Sequence, residues 1–399
     1  MIDDSTFPDE PLICGTDTEA PEPTMARQWI VQPPSPECEA LSKRWRVPAV
    51  VAQLLINRGL GADESSETFL SPQLRDLIPP ARLPGATAAA SAIVKAARDR
   101  RRIVLYGDYD VDGTTGVAIL WHVLKAAGVD AGTYVPHRVE EGYGLNRAAV
   151  ERLVTDGAQM IVSVDCGITA HDVAEYLAER GVPLIVVDHH AMHGGPPQAR
   201  AIVHPALDPS YANPHTCGSA AAFKVAWAIA QECSAAERVL PHYRELLKHL
   251  LPLAALGTVA DVVPISHENR IIVRHGLAGL RGTSLAGLRA LIESAGLSDA
   301  KVSAYDVGFR LAPRINAAGR MGHARLAVEL LTRADPARAR EIALYLEEQN
   351  RSRQAAERQI LKQACELIER HKFASDARRA IVVDAENWHA GVIGIVAAR

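Results

Sequence analysis

With 399 residues, 48% of them apolar and 23% charged, the chain has material for more than one core, and two or three domains are expected. Its formal net charge of -4 excludes a protein coated in positive charge while leaving room for a local basic cleft. Six scattered cysteines (Cys14, Cys38, Cys166, Cys217, Cys233 and Cys365) form no C-x2-C pair, so they signal neither a zinc knuckle nor a disulfide framework and fit a reducing cytoplasm. No apolar run reaches membrane-spanning length, and the acidic, proline-containing amino terminus is unlike a secretory signal, so a soluble protein without a membrane partner is expected.

Residues 1–44 are rich in Pro, Glu, Asp and Thr and are expected to be disordered or extended, with Met25 a second candidate start. Residues 45–95 read as a helical N-terminal region, where Val50, Val51, Leu54 and Leu55 recur at helical spacing before Gly59. From Arg101, short branched-apolar runs alternate with helical stretches, the pattern of an α/β fold with a mostly parallel sheet flanked by helices, here over 96–330. Strands are expected at 103–106, 133–135, 161–164 and 184–187, with a fifth short one at 202–203 and helices over 114–127, 146–155 and 170–180. Residues 217–256 read as helical with a polar interruption, and 331–373 as a connecting helical region. Its long helix has a polar middle from Gln349 to Gln354, suiting either a bridge between two bodies or an ordinary surface helix. A new strand is expected at Ile381 to Asp384, so 374–399 reads as the beginning of a second, smaller α/β domain that the chain end interrupts.

Charged clusters sit just past these strands. Asp108, Asp110 and Asp112 follow the first in GDYDVDG, where alternation lets carboxylates converge between glycines that allow tight turns. Hard divalent cations prefer such oxygen ligands, although an acidic turn without a metal is the competing reading. Asp165 follows the third strand in VDCG, and Asp188, His189 and His190 follow the fourth in VDHH. Loops at the carboxyl ends of parallel strands share one rim, so these groups would stack uncompensated negative charge unless cations accompany them. Asp261, flanked by apolar residues in LGTVADVVP, joins the set or else caps a helix or pairs with an arginine. Mixed imidazole and carboxylate donors favour manganese, with magnesium as the alternative.

GDYDVDG at 107–113, VDCG at 164–167, VDHH at 187–190 and LGTVADVVP at 256–264 resemble the four motifs of the DHH phosphoesterase superfamily. PRINAAGR at 313–320 and WHAGVIGIVAAR at 388–399 are similar to the RecJ family of bacterial single-strand-specific exonucleases. The resemblance implies two divalent ions, Mn2+ preferred or Mg2+, with Asp110, Asp112, His189, His190 and Asp261 as catalytic ligands and Asp165 bridging the ions. Asp108 would be a further metal residue and Asp188 a supporting one. The implied reaction is 5′ to 3′ hydrolysis of single-stranded DNA to nucleoside 5′-monophosphates in recombination and repair. Arg138 and Tyr143 match a segment near the terminal 5′ nucleotide, the arginine suited to phosphate and the tyrosine to stacking, while Arg314 and Arg320 are expected to touch the DNA backbone, with a surface or interdomain salt bridge as the competing reading for these arginines. By the same resemblance 374–399 would open a DHHA1-type domain. Single-stranded-DNA-binding protein would be a functional partner, and the setting bacterial cytoplasm, nucleoid-associated during action. Two alternatives share the motifs: a DHH-type phosphatase acting on a small anhydride or cyclic dinucleotide, and a DNA-repair scaffold that has lost its chemistry.

Overall fold

A computed structural model describes residues 30–61, 64–138, 140–298, 300–375 and 379–398. The first 29 residues of the expected extended lead lie outside these. In chain order the described elements begin with helices α1 (Cys38–Trp45), α2 (Ala49–Ile56), α3 (Glu64–Leu70) and α4 (Ala86–Arg98). The sheet-forming part runs β1 (Ile103–Gly107), α5 (Val111–Ala126), β2 (Gly132–Tyr134), α6 (Arg147–Thr155), β3 (Met160–Val164), α7 (His171–Glu179), β4 (Leu184–Val187) and β5 (Ala201–Val203). Helices follow: α8 (Gly218–Ser234), α9 (Pro241–Ala260), α10 (His267–Leu280), α11 (Ala286–Ser294), the single turn α12 (Ala304–Asp306), α13 (Ala312–Arg320), α14 (Ala324–Thr332), α15 (Pro336–Arg370) and α16 (Ala390–Ala397).

The described residues divide into two compact units, one within 64–356 and 389–398, the other within 30–61 and 357–388. The larger is α/β. All its strands pair in parallel, in the order β2-β1-β3-β4-β5. Period-two alternation along β1 sends Ile103 and Leu105 into a core shared with α4, α5, α8 and α9, and Tyr106 into one shared with α6 and α7. Both faces of the sheet are thus covered, which is why its strands read as nearly continuous apolar runs. Helix α5 is buried from Val111 through Trp121 and so lacks an amphipathic stripe; Gly116 lets it approach β3, for a Cβ there would stand 2.6 Å from Val164 Cγ1. One charged pair lies inside this core: Lys224 Nζ of α8 meets the Glu268 carboxylate of α10 and the carbonyl of Ile78, with side-chain exposures of 0% and 1% for the pair.

The smaller unit departs from expectation twice. Within the lead expected to be extended, residues 38–45 are helical, because Leu41 and Trp45 lie one turn apart and bury together. The strand expected at 381–384 does not form; these residues have no regular structure. A strand needs a neighbour to take its backbone N–H and C=O groups, and the described residues of this unit offer none.

Candidate metal centre

The sheet register builds the centre. Gly107 pairs with Val164 and Val164 with Val187, so the residues that follow them, Asp108, Asp165 and Asp188, form a row across three strand ends. Each is tethered to the next strand by its own amide: Asp108 N donates to Val164 O (3.3 Å), Asp165 N to Val187 O (2.8 Å) and Asp188 N to Val203 O (3.0 Å). All three side chains are buried. Asp165 has φ +62°, a left-handed conformation that aspartate tolerates better than most residues and that turns the chain sharply at the strand end.

The other acidic groups come from helix ends. Asp110 caps α5, accepting from Gly113 N at 3.0 Å, and glycine is required there because a Cβ would stand 2.6 Å from Asp108 O. Asp112 reaches the first residues of α8, where Gly218 N and Ser219 N donate to its two oxygens at 2.6 and 2.9 Å. A helix N-terminus holds an anion by its free amides and its dipole, so this carboxylate is fixed in direction. Asp261 arrives at the C-terminus of α9. His189 Nε2 lies 3.2 Å from Asp165 Oδ1, 3.6 Å from Asp261 Oδ2 and 3.9 Å from Asp112 Oδ2.

Asp188 is an organiser of this cluster. Its carboxylate accepts from Ile168 N (2.9 Å), His189 N (2.7 Å), His190 N (3.2 Å) and His190 Nδ1 (2.7 Å). Although burial opposes it, these hydrogen bonds hold Asp188 below the usual carboxylate range, while the bond to Asp188 lifts His190 above the usual imidazole value. Four other acids move the opposite way. Burial and neighbouring aspartates push Asp108 up to about 8 and Asp261 up to about 7, and raise Asp110 and Asp165 as well. Burial lowers His189.

Whether these groups suit cations can be tested on their hydrogen bonding. Asp108 Oδ1, Asp165 Oδ1, His189 Nε2 and Asp261 Oδ2 are buried and have no hydrogen-bond partner among the described residues. Buried polar atoms are nearly always paired, so four orphans converging at one place point to a missing electrophile. The donors fall into sets whose atoms lie within 4.8 Å of one another: Asp108, Asp110 and Asp165; Asp165, His189 and His190; and Asp112, Cys217 and Asp261. Asp165 belongs to the first two, as a bridging residue would. Cys217 is a poor third donor, since burial pushes its thiol well above the ordinary range and its Sγ already contacts Ser219 Oγ (3.3 Å) and Thr258 Oγ1 (3.4 Å).

Beside the centre, Arg138 lies with its guanidinium 4.9 Å from the centre of the Tyr109 ring, and Tyr143 meets Tyr109 edge-on at 6.2 Å. Arg320 is half-buried, its charge close enough to Arg138 and Arg353 to be disfavoured alongside the cost of burial. Arg314 is placed differently. Its guanidinium pairs with Glu347 at 2.6 Å and with the carbonyl of Arg310, leaving the side chain 12% exposed in a helix-to-helix ion pair.

Sequence reasoning missed the residues that support the donors from afar. A Cβ at Gly218 would stand 2.6 Å from Asp165 Oδ1, and one at Gly257 would stand 2.4 Å from Asp112 Oδ1. Asn316 Oδ1 accepts from Val111 N at 3.1 Å, and Gly319 lets α13 close on Tyr109 O, which gives PRINAAGR its structural purpose. His204 Nε2 contacts His190 O at 2.9 Å. Gly218 and Gly257 are visible in the sequence as residues; the aspartates they lie against are not.

Comparison with known proteins adds the lineage. The model of the DHH family, N-terminal domain, matches residues 102–258. The single-stranded-DNA-specific exonuclease RecJ of Bacillus subtilis is 36% identical over 374 residues, which is 93% of this chain and 46% of the relative. That of Thermus thermophilus is 40% identical over 327 residues, 81% of this chain and 46% of the relative. A crystal structure of exonuclease RecJ bound to manganese is similar with a TM-score of 0.71 at 39% identity, over 79% of this chain and 77% of that one. The structure of RecJ from Thermus thermophilus in complex with Mn2+ gives a TM-score of 0.77 at 34% identity, over 92% of this chain and 51% of that one. The chain spans about half the length of the first of these curated relatives. With the strand-end aspartates, the paired histidines and the DHH match all falling on the same sheet, the chain belongs to the RecJ family of DHH proteins.

Proposed function

We propose that this chain carries the catalytic machinery of a metal-dependent exonuclease that degrades single-stranded DNA from a free 5′ end to nucleoside 5′-monophosphates. The observation that carries the proposal is the set of four buried, unpartnered donor atoms grouped around Asp165. Relatives named as single-stranded-DNA-specific exonucleases, and RecJ structures in complex with Mn2+ and with Mg2+, support the assignment. In this reading Asp108, Asp110 and Asp165 hold one divalent ion and Asp165, His189 and His190 a second, with Asp112 and Asp261 completing the enclosure. Nitrogen and oxygen donors together suit manganese, and the carboxylates also accept magnesium. Such ions supply Lewis-acid polarisation of a phosphate and a water acidic enough to attack it near neutral pH.

The protein's own groups do the positioning. Asp188 fixes the ring of His190 and the backbone of both histidines, and the α8 amides fix Asp112. Arg138 offers a planar fork for a terminal phosphate, Arg320 a second cation, and Tyr143 a ring on which an unpaired base can rest without sequence preference. A paired strand has no exposed base face to offer there. We further propose single-stranded-DNA-binding protein as a functional partner and the bacterial cytoplasm, at the nucleoid, as the place of action; no helix among the described residues is long and apolar enough to cross a membrane.

The test presents the chain, with Mn2+, with single-stranded DNA labelled at its 5′ end, with pyrophosphate and with a cyclic dinucleotide. Early release of labelled mononucleotide is expected. Preferential turnover of pyrophosphate or the cyclic dinucleotide would replace the nuclease reading with a small-molecule phosphatase, and equal activity after exhaustive chelation would remove the metal from it.

A further inference from the structure

Five of the described helices in the larger unit end in the same way. One residue past the cap the chain reverses through the left-handed region, and a glycine makes the turn: Gly128 after α5, Gly157 after α6, Gly181 after α7, Gly296 after α11 and Gly322 after α13, with φ between +65° and +93°. Helix α4 makes it with Arg100, whose side chain is unbranched at Cβ, and α9 makes it with Val262, at φ +61°. Among the described residues Val262 is the only β-branched one with a left-handed backbone. That turn drives Cβ towards the carbonyl oxygen, and a branch at Cβ adds to the crowding.

Nothing inside the fold compensates for this. Val259, Ala260 and Val263 on either side pack against the core, but Val262 is 85% exposed, more than any other described large apolar side chain of the larger unit. The backbone that carries it is held: Asp261 N donates to Gly257 O at 2.9 Å, Val262 N to Val259 O at 3.3 Å, and Pro264 O accepts at 3.0 Å from Nδ2 of the buried Asn269. Glycine would make the same turn without crowding and with almost no packing lost. The contribution of the valine side chain therefore lies outside the folded chain, and strained residues of this kind gather where a protein meets its ligand. Its neighbour fixes the place. Asp261, whose Cα is about 3.8 Å away, sets Oδ2 3.6 Å from His189 Nε2, so Val262 stands at the rim of the metal centre.

We propose that Val262 is a substrate-contacting residue, its isopropyl group packing on the apolar sugar and base surface of the nucleotide whose phosphate enters the centre. The inference rests on the nuclease reading above and adds a contact to it. A branched alkyl group offers no hydrogen bond, so it grips carbon surface that every nucleotide carries and reads no sequence. Pyrophosphate has no such surface to offer.

Steady-state cleavage of 5′-phosphorylated single-stranded DNA with Mn2+, joined to urea denaturation and Mn2+ calorimetry on the same samples, tests this. Val262→Gly removes the crowding and the contact together. Its urea midpoint should rise while KM rises roughly tenfold at unchanged kcat, since a contact made equally before and during the reaction acts through KM. Val262→Ala keeps Cβ and the stiff backbone but loses both methyls, and should show the same rise in KM. Mn2+ affinity should stay at the parent value in both. An unchanged KM in Val262→Ala overturns the contact, because any effect of glycine would then come from the backbone. A loss of Mn2+ affinity that tracks the loss of activity assigns Val262 to holding Asp261 and overturns it too, as does a lower urea midpoint in Val262→Gly, which would show the valine stabilising the fold. A parent chain that leaves single-stranded DNA uncut removes the nuclease reading and the contact together, whereas a parent that cuts it no better than its variants removes the contact alone.

Discussion

Gly218 offers a way to disturb the centre without removing any donor. It opens α8, gives its amide to Asp112 Oδ2 and lies against Asp165, where a Cβ would stand 2.6 Å from Oδ1, 2.7 Å from Cβ and 2.8 Å from Cγ. Ordinary contact begins near 3.4 Å, so in Gly218→Ala either the helix start or the aspartate must retreat by most of an ångström. Neither can do so freely. Asp165 is held by its amide bond to Val187 O and by its left-handed backbone, and α8 is buried along most of its length. Overpacking a tight core costs about 1–3 kcal/mol, and shifting the support of a metal ligand lowers affinity by roughly 10–100-fold. Urea denaturation and Mn2+ calorimetry on the same sample measure the two effects. Gly308→Ala serves as control, because a Cβ there meets nothing within 4 Å and the backbone is not left-handed. If Gly218→Ala binds Mn2+ as tightly as the parent, the close approach of α8 to Asp165 is not what positions the ligand, and the argument fails.

Asp165→Ala should abolish binding of both ions, seen as loss of two anomalous peaks in a Mn2+-soaked crystal; one full-occupancy peak would refute the shared ligand. Arg138→Ala should reduce the preference for a 5′-phosphate over a 5′-hydroxyl on otherwise identical oligonucleotides, whereas an equal loss on both would move terminal recognition elsewhere. Lys224→Met strands the Glu268 carboxylate in the core and should cost about 3–5 kcal/mol, most of it recovered by adding Glu268→Leu; a double variant no more stable than the single one would contradict this. Without metal, burial and neighbouring aspartates push Asp108 up to about 8 and Asp261 up to about 7 in the folded chain, from 3.8 for a free aspartate. The folded state therefore holds extra protons between these values, and stability in chelator should fall as pH rises through that window and recover with Mn2+. Replacing both by Asn should flatten the slope, and an unchanged slope would assign it to other groups.

What sequence could reveal here follows from range. The strands are local patterns, three of them, β1, β3 and β4, visible as apolar runs that lead into Asp, and parallel pairing then places Asp108, Asp165 and Asp188 in one row. The clamp on Asp112 joins residues 106 and 107 positions apart, and the Asn316 bond to Val111 spans 205, so no local spacing could have indicated either. For Arg314 a salt bridge was one of two readings, and its partner could not be named from the sequence because Glu347 lies on another helix. The failed strand at 381–384 is the converse case: β-branched residues gave the local pattern, and the partner strand that would have realised it is absent among the described residues.

The strand order has a further consequence. Because β1 lies between β2 and β3, the loops leaving the central strands run to opposite sides of a single crevice. Apart from Asp261 at the end of α9, the carboxylates and imidazoles follow β1, β3 and β4, while Arg138 and Tyr143 come from the loop after β2 at the sheet edge. That edge loop can be lengthened, shortened or exchanged without breaking a strand pair on the catalytic side. On the proposed function, grafting the 137–145 segment between DHH proteins should therefore transfer substrate preference while the row of Asp108, Asp165 and Asp188 stays in place, making this edge strand the natural point of entry for redesigning substrate choice.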